Sequence, residues 1–191
     1  GWGEACPWGV TYLPAHGKGI RAGLEEIAPG LIGKDPRQLD RINRLMDVTL
    51  PGHPYVKSAV DIACWDILGK HRNRPVWALL GGKMNDRIRA YTYLYPLPHH
   101  DPVAFWTSPE MAAESATDCV QRGYTAVKFD PAGPYTLRGG HMPAQSDITL
   151  SVAFCKAIRG AIGDQADLLF GTHGQFSTAG AIRLGQALEP Y

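Results

Sequence analysis

Apolar positions along the chain follow two rhythms, and the change between them falls near residue 87. Before it the spacing is helical. From Pro36 to about Val48, Leu39, Ile42 and Leu45/Met46 line one face. Asp35 ahead of Pro36, with Gln38 three residues on, has the form of an N-cap followed by proline at the first helical position. A second helix is predicted from about Tyr55 to Lys70, where Val56, Val60, Ala63/Cys64 and Ile67/Leu68 recur at helical spacing. The stretch NRPVWALLGG that follows reads as a loop or a short helical turn.

Beyond Gly82 strands and helices alternate. RIRAYTYLY (Arg87 to Tyr95) is rich in aromatic and β-branched residues and predicts a strand. TSPEMAAESATDCVQRG predicts a helix with Ser108 as cap, Pro109 at its first position and Gly123 at its end. YTAVKFD is the next strand, DITLSVAFCKAIRGAIG a helix capped by Asp147, ADLLFG a third strand, and STAGAIRLGQALEP a helix capped by Ser177. This order means parallel strands with helices packed outside. It leaves two architectures open, an eight-stranded barrel and an open doubly wound sheet. No glycine-rich phosphate signature follows any strand, which weakens a dinucleotide-binding reading.

Both architectures place chemistry at the C-terminal ends of the strands. Side chains alternate along a strand, so Lys128 and Asp130 in VKFDP share one face while Val127 and Phe129 take the other. The same alternation, carried through LLFGTHGQ, puts His173 on the face of Leu169 and Gly171. Lys128, Asp130 and His173 are therefore expected to converge on one cavity. The plainer alternatives are an internal Lys–Asp ion pair and a histidine bonded to a neighbouring loop. A long loop rich in glycine and proline, Pro131 to Ser146, lies beside them and carries Tyr135, Arg138 and His141. Loops beyond ~12–15 residues in compact domains are usually lids or disordered segments. A solvated excursion is the alternative.

Composition narrows the function classes. The chain has 191 residues, 45% of them hydrophobic, enough for one domain or one and a part. Lys plus Arg number 19 against 18 Asp plus Glu, a net charge of +1, which offers no electrostatic case for nucleic acid or an anionic membrane surface. No segment approaches the ~18 apolar residues of a transmembrane helix, and no signal peptide is visible. Cys6, Cys64, Cys119 and Cys155 are widely spaced with no CxxC pair, and three of them sit in apolar helical patterns. Buried free thiols and a cytoplasmic location are the expectation.

In GWGEACP, YVKSAVDIACWDILGKHRNRPVWALLGG, RIRAYTY, YTAVKFDPAGPY and ADLLFGTHGQFSTAGAIRLGQALEPY the chain resembles the mandelate racemase and muconate lactonizing branch of the enolase superfamily, on the side of acid-sugar dehydratases of the galactonate and gluconate type. The resemblance implies an α/β fold, with residues 1–86 part of an α+β capping domain and residues 87–191 the first three units of a (β/α) barrel. The chain then reads as a piece of a longer protein, a homo-oligomer when full length, and inactive as 191 residues alone.

The implied chemistry is dehydration of a small-molecule sugar acid. Mg²⁺ binds the substrate carboxylate, a base removes the α-proton, an enediolate forms, and an acid protonates the departing β-hydroxyl. Lys128 falls on the first lysine of the family's Lys-x-Lys pair. Asp130 stands where racemases carry the second, catalytic lysine, which argues against a lysine base. His173 matches the histidine of galactonate-type dehydratases and is the candidate general acid. Gly171 falls where that group carries an acidic metal ligand, so the metal ligands stay unassigned. The candidate catalytic residues are His173, Lys128 and Asp130, and the candidate substrate contacts are Trp8, Tyr135 and His141. The alternatives are a racemase or epimerase of a related carboxylate, or a non-catalytic remnant.

Overall fold

In the computed structural model the predicted strands pair in parallel, and the order of pairing is the order of the chain. β1 (Thr92–Tyr93), β2 (Ala126–Phe129) and β3 (Asp167–Phe170) lie side by side as β1-β2-β3. The residues described are 1–7, 14–132 and 140–191. They divide into two compact units, Gly1–Asp86 and Arg87–Tyr191.

The first unit is helical. α1 (Gly17–Leu31), α2 (Leu39–Thr49) and α3 (Pro54–Arg72) are followed by the single turn α4 (Val76–Leu79). Ile27, Ile42, Met46, Val56 and Cys64 form its core. α1 has no counterpart in the sequence reading, because glycines and Pro29 break up its apolar pattern and only Gly23 and Ile27 are buried. α2 begins at Leu39 rather than Pro36. Asp35 instead closes a tight turn, accepting the Arg37 backbone N–H at 3.0 Å and pairing with the Arg37 guanidinium at 2.8 Å. α3 starts on Pro54 and ends at Asn73, whose φ of 50° is the left-handed stop that asparagine tolerates.

In the second unit α5 (Pro109–Gln121), α6 (Gln145–Ile162) and α7 (Thr178–Leu188) cover one face of the sheet. Register pairs Val127 with Leu168 and Phe129 with Phe170, so these side chains share that face. Val127 and Phe129 pack there against Ala116 and Cys119 of α5 and Phe154 and Ile158 of α6. Leu184 of α7 joins Ile148 and Phe170. Strands in chain order with their helices on one side are the winding of a (β/α) barrel, whereas a doubly wound sheet reverses its order and covers both faces. The fold is thus α/β, three βα units of a partial barrel.

Ser108 and Ser177 cap α5 and α7 as expected, accepting from Met111 N at 3.3 Å and Gly180 N at 3.2 Å. Asp147 does not cap α6, which starts two residues earlier behind Ala144, a residue with no side chain able to cap. β1 is shorter than the predicted Arg87–Tyr95. Residues 87–90 run past the start of β2. Arg89 reaches across to pair with Asp167 at 2.6 Å. No helix among the described residues is long and apolar enough to cross a membrane.

Candidate functional site

The sheet face away from the helices carries the polar residues. Register sets Tyr93 beside Lys128 and Lys128 beside Leu169, all on this face. Two residues beyond the Lys128–Leu169 pair, Asp130 stands next to Gly171, whose N–H still bonds Phe129 O at 3.0 Å. The ladder ends there.

His173 reaches the same place by a different route from strand alternation. β3 stops at Phe170, and Thr172 to Gln175 form a tight turn closed by Gln175 N donating to Thr172 O at 3.0 Å. Both central residues have positive φ, 50° at His173 and 72° at Gly174, the pattern of a type I′ turn. Gly174 occupies that conformation without cost, and histidine is among the few other residues enriched in it. This turn aims the imidazole back at β2.

There His173 Nε2 lies 2.5 Å from Asp130 Oδ2, and the Tyr93 hydroxyl donates to the same oxygen at 2.5 Å. The side chains are 11% (His173) and 9% (Asp130) exposed, so the contact is shielded from water. Asp130 Oδ1 is buried and has no hydrogen-bond partner among the described residues. It points over Gly171. A Cβ built on that glycine would lie 2.0 Å from Oδ1 and 2.4 Å from Lys128 Cε. The Lys128 ammonium sits over the Tyr93 ring, 5.5 Å from its centroid, and forms no ion pair among the described residues. The internal Lys–Asp ion pair is therefore not what the structure holds.

Lys128, Asp130 and His173 are thus brought together, and Tyr93 joins them unannounced. The alternating tyrosines of AYTYLY carried the signal, since Tyr93 and Tyr95 share a face and their rings lie 5.3 Å apart. His141 is placed beside the turn. Its backbone pairs with Gln175 and Ser177 at 3.1 and 2.9 Å, and its ring meets Phe176 edge-on at 5.1 Å. Trp8, Tyr135 and Arg138 lie outside the described residues. A cavity of about 590 Å³ adjoins the polar group, with Tyr93 and Asp130 at its rim and Leu94, Phe105, Trp106 and Phe154 among its walls.

A second cluster follows β1, where His99 and His100 both contact Glu114 at 3.0 and 2.9 Å. Their ligand atoms are close enough for a metal. The tautomer speaks against it. Leu97 N–H donates to His100 Nδ1 at 3.1 Å, so Nε2 carries the ring proton and gives it to Glu114 rather than offering a lone pair. These hydrogen bonds, His100 first and then His99, hold the Glu114 carboxyl below its ordinary range. The cluster ties the loop after β1 to α5.

A helical unit followed by parallel βα units, with a carboxylate and a histidine meeting at the strand ends, is the arrangement of a (β/α) barrel that carries its polar groups on loops and strand tips. Two family models match the chain: mandelate racemase/muconate lactonizing enzyme, N-terminal domain, over residues 1–81, and enolase C-terminal domain-like, over residues 110–191. The chain belongs to the mandelate racemase/muconate lactonizing enzyme family of the enolase superfamily. It is 41% identical over 133 residues to a cis-3-hydroxy-L-proline dehydratase of Roseibium aggregatum, covering 70% of this chain and 34% of that protein. To a D-gluconate dehydratase of Thermoproteus tenax it is 34% identical, over 100% of this chain and 36% of the relative. Among solved structures, a mandelate racemase/muconate lactonizing enzyme from Sulfitobacter sp. superposes with a TM-score of 0.87 at 58% identity, covering all of this chain and 49% of that one. The chain spans about a third of these curated relatives and about half of the solved structure.

Proposed function

We propose that this chain is part of a Mg²⁺-dependent dehydratase acting on a sugar acid or a similar β-hydroxylated carboxylate, with His173 as the general acid. Residues 1–86 then belong to the capping domain and residues 87–191 to the first three barrel units, a division that the extents of the two family models support. The observation that carries the reading is the shielded contact between His173 Nε2 and Asp130 Oδ2.

Dehydration removes the proton α to a carboxylate and expels the β-hydroxyl as water; an α-hydroxyl then leaves an enol that becomes a 2-oxo acid, and an α-amino group leaves an enamine that becomes an imine. Loss of the hydroxyl needs a proton donor, and a positioned histidine is the usual one. Asp130 fixes the imidazole ring, and the Tyr93 hydroxyl fixes Asp130. Lys128 supplies a positive charge on the same face for an anionic substrate. The unpartnered Oδ1 of Asp130, facing a space that a Cβ would fill, fits a small cation, and Asp130 is the residue here that would hold it. Bound magnesium would stabilise charge on the substrate carboxylate. Asp130 in place of a lysine leaves a lysine-based racemase without its second base. The four unpaired cysteines support a cytoplasmic location.

The test is a screen of the protein carrying this chain against aldonic acids, aldaric acids and cis-3-hydroxy-L-proline, with 2-oxo products of the sugar acids detected as semicarbazones and the cyclic imine from hydroxyproline detected by mass spectrometry. Turnover of a β-hydroxy acid that needs Mg²⁺ is the expected result. Racemisation without a dehydrated product would overturn the reading.

A further inference from the structure

Asp130 uses one carboxylate oxygen and leaves the other without a partner. Oδ2 accepts from Tyr93 and His173, while Oδ1 is buried with no donor among the described residues. A buried carboxylate oxygen in that state costs free energy unless a cation or donor meets it. Lys128, on the same sheet face, turns its ammonium onto the Tyr93 ring instead.

The space Oδ1 enters exists because residue 171 is glycine. Gly171 is not among the residues with positive φ, so the backbone there does not demand glycine. The demand is steric: a Cβ would lie 2.0 Å from Oδ1 and 3.0 Å from Asp130 Cγ. A methyl group and this carboxylate cannot both be present as placed.

We propose that Asp130 and Gly171 are an interlocked pair that forms a divalent-cation site, in which the ligand oxygen comes from β2 and fits only because β3 gives up its side chain. A hard divalent ion suits one such oxygen, since Mg²⁺ keeps several waters and takes one or two carboxylates. The choice of Mg²⁺ rests on the dehydratase reading, but cation binding can be measured without turnover.

The experiment titrates Mn²⁺, as a paramagnetic stand-in, into the protein carrying this chain and follows free Mn²⁺ by electron paramagnetic resonance, with circular dichroism as the check on folding. Asp130→Asn is expected to weaken binding about tenfold or more. Gly171→Ala should do the same by displacing Oδ1, and Lys156→Met, at an exposed position of α6, should leave binding intact. The exchange Asp130→Gly with Gly171→Asp returns a carboxylate to the same space from β3 and should recover most of the affinity. If Gly171→Ala fails to fold, the near-isosteric Asp130→Asn still decides. A natively folded Asp130→Asn protein with unchanged Mn²⁺ affinity overturns the proposal, as does a parent protein that binds no Mn²⁺. A protein that binds Mn²⁺ through Asp130 but dehydrates no acid removes the dehydratase reading and leaves this one standing.

Discussion

His173→Asn separates a catalytic histidine from a structural one, and the structure makes the substitution unusually clean. His173 sits at φ 50° in a tight turn, and asparagine is among the residues best able to hold that conformation. The backbone cost is therefore small. The contact removed with the imidazole is its hydrogen bond to the Asp130 carboxylate, and bonds to charged groups contribute about 1.5–3 kcal/mol. In a unit of this size each kcal/mol moves Tm by about 4–8 °C, so a fall of roughly 6–12 °C is expected at the low end of that scale. Starting from a stability of about 5 kcal/mol or more, the variant keeps at least ~2 kcal/mol and stays about 97% folded at 25 °C. Unfolding can then remove only about a thirtieth of the activity. General acid catalysis accounts for about 10²–10⁴-fold in kcat, so the two effects differ by orders of magnitude. The assay is kcat at 25 °C beside a thermal melt of the same preparation, with exchange of the substrate α-proton into deuterated water as a third reading. Loss of kcat with exchange retained is expected, since the proton-abstracting group is left in place. A variant whose Tm falls while kcat stays near the parent value would refute the catalytic role.

Ile158→Ala should cost about 2–5 kcal/mol in urea unfolding, because Ile158 is fully buried between α6 and the sheet, and a loss below ~1 kcal/mol would show that this layer is not close-packed. Thiol labelling of the native protein at about pH 8 should modify exposed Cys6 first and leave Cys64, Cys119 and Cys155 to react only on unfolding. Burial pushes the Cys155 thiol up to about 11, so its labelling should stay slow until the pH approaches that value, and rapid labelling near pH 9 would contradict its placement.

Within elements, the sequence pattern read the fold well, because periodicity is a property of what lies on either side of a helix or strand. α5 shows it: Ser108, Pro109 and Gly123 mark both ends by local backbone chemistry, and the structure uses all three. Boundaries failed where the deciding partner is distant in sequence. The length of β1 depends on where β2 begins, which no residue in RIRAYTYLY records. Asp35 looked like a cap because it precedes a proline, and it does accept the Arg37 backbone N–H, but that bond and the Arg37 guanidinium close a turn and the helix begins only at Leu39. α1 was hidden because only one of its large apolar residues is fully buried.

The candidate site was legible for a partly different reason from the one the pattern suggested. Strand alternation does place Lys128 and Asp130 on one face, and the register with Tyr93 and Leu169 follows from it. Carried past Phe170 the same rule has no force, since the chain has left the strand. His173 meets Asp130 because a histidine and a glycine with positive φ reverse the backbone there, and a two-residue period knows nothing of such a turn. THGQ itself held that information in the glycine at its second central position. Gly171 is the residue the pattern least explained. In sequence it is a missing acid; in the structure it is the opening through which Asp130 from the neighbouring strand presents its free oxygen. A pairwise steric fact of this kind is invisible until both strands are laid side by side. Substitutions at 130 and 171 should therefore be strongly non-additive, and a double-mutant cycle on Mn²⁺ affinity that came out additive would separate the two residues again.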